Sequence, residues 1–394
     1  MISSGKTGHC SRLIFFIALL ALFSNLSACR SAAVPSEELS GPAALKKISA
    51  TVSLQRQWSA RIGSGQGALY NRLTPASDGE RIFVASADGR VACYHLSGER
   101  CWSLQLKEAL SAGVGAAYGV VAVATEAGDI VALSREHGGE LWRVSLAAEV
   151  LAAPQVSRQH VLLQTHDGRL LALNIKNGEM LWAYRSDLPR LILRGTATPV
   201  IDNEAVYSGF ASGKLVALNL VDGRVLWNKT VAIARGQAEL ERMVDIDAPP
   251  LVTEDRIYSN SLNGSVLAIS KRRAKALWRF DSSSYRALAA GFGNIYLVDE
   301  NSRLYAIDED SGEQRWQQSA LLHRQLSAPT VFSGFLVVAD DQGYLHVISQ
   351  VDGALVGRVR VDKSGVRSVM QVVGEQLYVY SNSGLLASFS LQNR

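Results

Sequence analysis

Residues 168–182 read GRLLALNIKNGEMLW, and residues 213–227 read GKLVALNLVDGRVLW. Taken singly, such a stretch is ambiguous, because glycines and a tryptophan suit a ligand site as well as they suit turns. The recurrence resolves it. Aligned on the opening position, eight copies start at Gly89, Gly128, Gly168, Gly213, Gly264, Ser302, Gly343 and Gly384, at intervals of 39, 40, 45, 51, 38, 41 and 41 residues. A period near forty marks a repeat architecture, in which each unit covers its apolar faces only by stacking on its neighbours.

Each unit follows one strand grammar. A β-rich run such as RIFVAS, AVYSG or FLVVA leads to a tight pair such as Asp88-Gly89, Asp167-Gly168 or Ser212-Gly213. These pairs suit a two-residue hairpin that demands positive φ. A second strand follows, then a second turn (Asn177-Gly178, Asp222-Gly223, Asp352-Gly353) and a strand carrying tryptophan. Pro75, Pro154, Pro199, Pro250 and Pro329 each stand fourteen residues before the aligned position. They mark the start of a first strand, where a missing N–H does least harm. Four antiparallel strands, eight times over, predict an all-β, eight-bladed β-propeller. No tryptophan is followed by aspartate, which sets the repeat apart from WD blades.

The chain ends sharpen this. The eighth repeat stops at Arg394, before its tryptophan strand, while Trp58 lies far upstream in LQRQWSARI (54–62) with the flanks that strand should have. The N-terminal strand is therefore expected to complete the last blade and close the ring. All seven tryptophans then share one structural position, and only the seventh repeat differs, with Gly357. A residue in seven of eight symmetric units is a packing residue, since an aromatic of this size buries about 150–250 Å² against a neighbour.

Ahead of the propeller, Lys6 and Arg12 precede LIFFIALLALF (13–23), an apolar run of signal-peptide length and too short to span a bilayer. It leads into Leu26-Ser27-Ala28-Cys29, the pattern of a bacterial lipobox; the other reading is an ordinary secretory signal that contains a cysteine. The expected organisation is a lipoprotein signal peptide over 1–28, a lipidated Cys29 with a flexible tether over 29–50, and a propeller over 51–394. Arg30, rather than aspartate, follows Cys29 and predicts sorting to the outer membrane, facing the periplasm. Removal of 1–28 takes two basic residues and no acid, leaving 40 − 2 = 38 against 36, a net charge of +2. That gives no support for nucleic-acid binding, which would want a concentrated basic surface. In an oxidising compartment, CYHLSGERC leaves two readings for Cys93 and Cys101: a cross-hairpin disulfide, or two partly buried thiols whose Cβ vectors do not meet. The histidines form no HxH or HExxH, and DEDSGE (308–313) resembles a calcium loop only superficially. No cofactor or metal is expected.

Symmetry breaks in two places. Trp142 to Pro154 and Trp316 to Pro329 span 12 and 13 residues, whereas Trp182 to Pro199 spans 17 and Trp227 to Pro250 spans 23. Both insertions fall where one blade's outermost strand passes to the next blade's innermost, so they are neighbours on one rim. AYRSDLPRLILRGTAT (183–198) places Leu191, Ile192 and Leu193 before Arg194; NKTVAIARGQAELERMVDIDAP (228–249) carries a helix-compatible QAELERM and then Asp245 and Asp247. Exposed apolar residues beside both signs of charge describe a docking surface. The competing reading pairs Arg194 with the aspartates and folds the leucines beneath their own loop. Acid–base chemistry from the aspartates lacks an accompanying histidine, nucleophile or metal ligand.

The lipobox, tether, eight repeats and the loops LILRG and ERMVDID together resemble the BamB family of outer-membrane assembly lipoproteins, over the whole chain. The resemblance implies a non-enzymatic scaffold of the β-barrel assembly (BAM) complex. It implies that Leu191, Leu193, Arg194, Asp245 and Asp247 bind the periplasmic POTRA domains of BamA, and through it the other BAM lipoproteins. Unfolded barrel precursors are a further implied partner. The repeat alone is also similar to that of quinoprotein dehydrogenases, which makes a PQQ-dependent dehydrogenase the alternative. Those enzymes carry an adjacent cysteine pair, calcium-binding acids and long extra segments, whereas Cys93 and Cys101 are apart and 394 − 28 = 366 mature residues leave little beyond the blades.

Overall fold

The computed structural model describes residues 41–67 and 71–394; the lipobox and Cys29 lie outside them. Eight four-stranded antiparallel sheets follow one another around a ring. Blade 1 runs from its innermost strand Ala76–Ser77 through Arg81–Ala85 and Arg90–His95 to the outermost, Arg100–Gln105. Blades 2 to 7 repeat that order, and blade 8 joins Gln371–Val373, Gln376–Tyr380 and Leu385–Asn393 to the N-terminal strand Val52–Arg61. This closing pair extends from Val52 opposite Asn393 to Arg61 opposite Leu385, longer than any other ladder in the ring.

Burial explains the strand patterns. Second strands such as Val120–Ala124 are buried at every position, because both faces of the blade meet neighbouring blades. Outermost strands such as Met180–Arg185 alternate, with one face wet. The core is accordingly eight interblade cores: Phe83 and Val91 of blade 1, for example, pack with Val121 and Val131 of blade 2.

The tryptophans sit where expected, and six of the seven do two things. Trp142 of blade 2 donates its indole N–H to the carbonyl of Ile175 in blade 3 at 2.7 Å. Its ring covers the outer turn of that blade so closely that a Cβ on Gly178, which holds φ +75°, would lie 2.7 Å from it. Trp58, Trp102, Trp182, Trp278 and Trp316 donate equivalently to Leu96, Arg135, Leu220, Glu309 and Gln350. The geometry also accounts for the missing eighth tryptophan. Blade 8 has no outer turn, because its outermost strand is the N-terminal one. Gly357 instead faces the incoming chain, and a Cβ there would stand 2.9 Å from the carbonyl of Val52.

Two points left open by the sequence take a definite form. The last residues of the expected tether, with Thr51, lie along blade 7 over 43–51. Ala43 N–H donates to Leu322 O, Arg324 and Arg358 donate to the carbonyls of Ala43 and Lys46, and Leu45 packs on the blade 6–7 core. The buried guanidinium of Arg324 needs acceptors, and the tether's carbonyls supply one. The cross-hairpin disulfide is not formed: Cys93 and Cys101 are both free thiols. The ladder partner of Cys93 is Trp102, and Cys101 is the extra residue of the bulge beside it. Burial pushes the Cys93 thiol well above its usual range.

Candidate docking site

The two inserted connections leave the outermost strands of blades 3 and 4, at Arg185 and Thr230. In the second, residues 233–242 form an exposed excursion whose only helical feature is one 3₁₀ turn, Leu240–Arg242. Glu241 caps it by accepting from the amides of Gln237 and Ala238 at 2.8 and 3.2 Å. The chain then turns inward, and Met243, Val244, Asp245 and Ile246 are all buried. Ile246 fits against Gly209 of blade 4, where a Cβ would lie 2.1 Å from its side chain.

Asp245 joins the two loops. Its Oδ1 accepts the backbone N–H of Leu193 at 2.8 Å, across 52 residues of sequence. Its own carbonyl accepts from Leu262 N–H at 3.0 Å, tying the clasp to blade 5. Oδ2 is buried with no hydrogen-bond partner among the described residues. Burial, and then the charge of Asp247, push this carboxyl up to about 7, against a pull downward from the Leu193 amide. Asp247 points the other way, against Gly195, into a cavity on the ring axis. Burial raises its carboxyl as well, with Arg72 and His166 opposing.

The five residues singled out from sequence therefore divide. Leu191 is exposed, Leu193 half-buried, and Arg194 exposed with its guanidinium on Glu149 of the blade 2–3 connection. Asp245, at 1% exposure, shapes the surface from beneath and cannot touch a partner itself. Sequence reasoning missed Glu149, which no local motif marks, and the most exposed apolar residues on these loops, Leu240, Ile233 and Leu188. Among the described residues no His, Cys, Asp and Glu group could hold a metal, and no helix is long and apolar enough to cross a membrane.

Fold and rim together define a class: a closed eight-bladed propeller whose departures from symmetry are two clasped loops with exposed apolar tips. Residues 87–318 and 306–393 match the family profile "Outer membrane protein assembly factor BamB". The chain is 42% identical over 376 residues to the protein of that description from Pseudomonas aeruginosa, covering 95% of this chain and 98% of the relative. It is 36% identical over 380 residues to that from Shewanella oneidensis, covering 93% and 95%. The chain belongs to the BamB family of outer membrane protein assembly factors. The crystal structure of BamB from Moraxella catarrhalis superposes with a TM-score of 0.79 at 24% identity, covering 86% of this chain and 99% of that one. Quinohemoprotein alcohol dehydrogenase from Comamonas testosteroni gives 0.68 at 14% identity, over 86% and 76%, a likeness of fold alone.

Proposed function

We propose that this protein is a non-enzymatic scaffold of outer-membrane β-barrel assembly, anchored through a lipidated Cys29 and facing the periplasm. The clasped rim docks the periplasmic POTRA domains of BamA. The observation that carries this reading is the hydrogen bond from Leu193 to buried Asp245, which sets two otherwise separate insertions as one rim surface. Leu191 and Arg194 on the first loop, with Ile233 and Leu240 on the second, would supply the apolar and charged contacts. A few buried anchors generally carry most of an interface's binding energy. Asp245 and Asp247 act from below, as supports.

The test is co-purification from membranes. Joint replacement of Leu191, Leu193 and Arg194 by alanine should abolish capture of BamA while leaving the thermal unfolding midpoint close to the parent's. Capture that survives this change and an Asp245/Asp247 double change would place the docking surface elsewhere. Cys29→Ser should move the protein from the outer-membrane fraction to the soluble periplasm, and retention would refute the anchor.

A further inference from the structure

A cavity of about 390 Å³ lies on the axis of the ring, within the size range of small-molecule sites. Its wall is mixed, with Val114, Leu151, Val156 and Val200 forming an apolar side and Thr196, Asp247 and Arg72 polar points. Arg72 and Asp247 stand at equivalent positions, four residues ahead of the innermost strands of blades 1 and 5, and both line the cavity. Tyr285 and Arg367 hold the same position in blades 6 and 8. Together these residues form a ring at one end of the axis.

Arg72 reaches past blades 7 and 8 to blade 6. Its guanidinium lies 5.2 Å from the centroid of the Tyr285 ring and donates to the Tyr285 carbonyl at 3.4 Å. The Arg286 guanidinium lies 4.6 Å from the same ring and donates to the carbonyls of Leu326 and Asp299. Arg367 donates to the carbonyls of Asn71 and Gly67. The guanidinium groups of Arg72 and Arg286 thus both hydrogen-bond to neutral carbonyls around the Tyr285 ring. Asp247, the carboxylate that shares the cavity with Arg72, makes no hydrogen bond or ion pair to it. Burial first, and after it the charge of Arg72, holds Arg286 and Arg367 below the usual arginine range. On the wall nearby, the hydroxyl of Thr196 is buried with no hydrogen-bond partner among the described residues.

We propose that the axial cavity binds a small carboxylate with an apolar body, the carboxylate on Arg72 and the body along the valine-lined wall. Guanidinium and carboxylate match in shape and charge, and the pair strengthens in a site with little water. Arg286 and Arg367 supply the surrounding positive field, and Thr196 offers a neutral donor. The ligand's source is either a free organic acid or the C-terminus of a peptide chain.

Isothermal titration of the full chain with N-acetyl-valyl-leucine and with its carboxamide tests this. The acid should bind, and the amide should bind at least about tenfold more weakly, the effect of one charge-assisted contact. Arg72→Gln should weaken the acid by a similar factor and leave the amide unchanged. Ala116→Leu, which narrows the cavity and keeps every arginine, should weaken both. Equal binding of acid and amide, no heat from either at millimolar concentration, or full affinity in both variants would overturn the proposal. An octapeptide ending in the same two residues separates the sources: binding equal to the dipeptide's points to chain termini, and binding of the dipeptide alone to free acids.

Discussion

The tryptophan belt and the loop clasp meet at Trp182. Up to Trp182, blade 3 obeys the rules of its neighbours: indole N–H to the next blade's carbonyl, ring over the next blade's glycine turn. A few residues later the chain leaves that pattern, and Leu193 is held by a carboxylate 52 positions away in the next insertion. The belt is many copies of one local solution, so each copy predicts the others. The clasp is a single long-range contact, and no second copy exists from which to read it. Stability should therefore concentrate in the first region and partner recognition in the second.

The belt should give the largest effect. Trp142→Ala removes an aromatic that is 8% exposed together with its interblade hydrogen bond, and should cost about 3–5 kcal/mol in chemical denaturation. A loss under about 1 kcal/mol would show that the blades hold together without the belt.

The clasp comes next. Asp245→Ala leaves the Leu193 amide without its acceptor, and should cost about 1–3 kcal/mol. The loss should appear as faster amide exchange confined to residues 187–195 and 233–246. Its pH dependence is distinctive. The folded carboxyl titrates near 7 against 3.8 in the ordinary state, so the folded form keeps a proton that the unfolded chain releases. The carboxyl's contribution to stability is complete below about pH 4 and is lost as the pH rises through about 7. Asp245→Asn, a neutral mimic of the protonated acid, should flatten that fall. An unchanged pH profile would mean the group is ionised throughout.

The same contrast explains what was legible in the sequence. Turn glycines, strand order, ring closure and the tryptophan position all follow from local rules repeated eight times, and a one-residue error in any copy is corrected by the rest. The role of Asp245 was not readable, because an acid in MVDID looks the same whether it faces solvent or lies buried under a loop. The course of residues 43–50 was hidden for a related reason. Its Ser- and Ala-rich composition suggests a loose linker, yet Arg324, some 280 residues away, takes Ala43 as an acceptor.

One belt position departs from the others and gives a smaller effect. In the outer turn of blade 5, Ala274 occupies the sequence position that glycine holds in the neighbouring blades, at φ +49°. Ala274→Gly should stabilise by about 0.5–1 kcal/mol by relieving the left-handed conformation. Gly178→Ala, at φ +75° and under Trp142, should destabilise by more than that gain, because backbone strain and the indole clash act together. Equal and opposite changes would mean the ring contact contributes nothing.

The smallest effect on stability separates the two regions most cleanly. Arg194 and Glu149 form an exposed pair, with side chains 48% and 24% accessible. Such pairs contribute about 0–1 kcal/mol, so Glu149→Gln should barely move the unfolding midpoint. Docking should respond differently. Removing the carboxylate makes the rim more positive by one charge, and rim charges act chiefly on association rate and salt dependence. With the BamA periplasmic domains in stopped flow, Glu149→Gln should alter the association rate and its salt slope while the midpoint stays fixed. A shift in the midpoint without a change in rate would make this pair another piece of the scaffold, and would move the recognition surface toward Ile233 and Leu240.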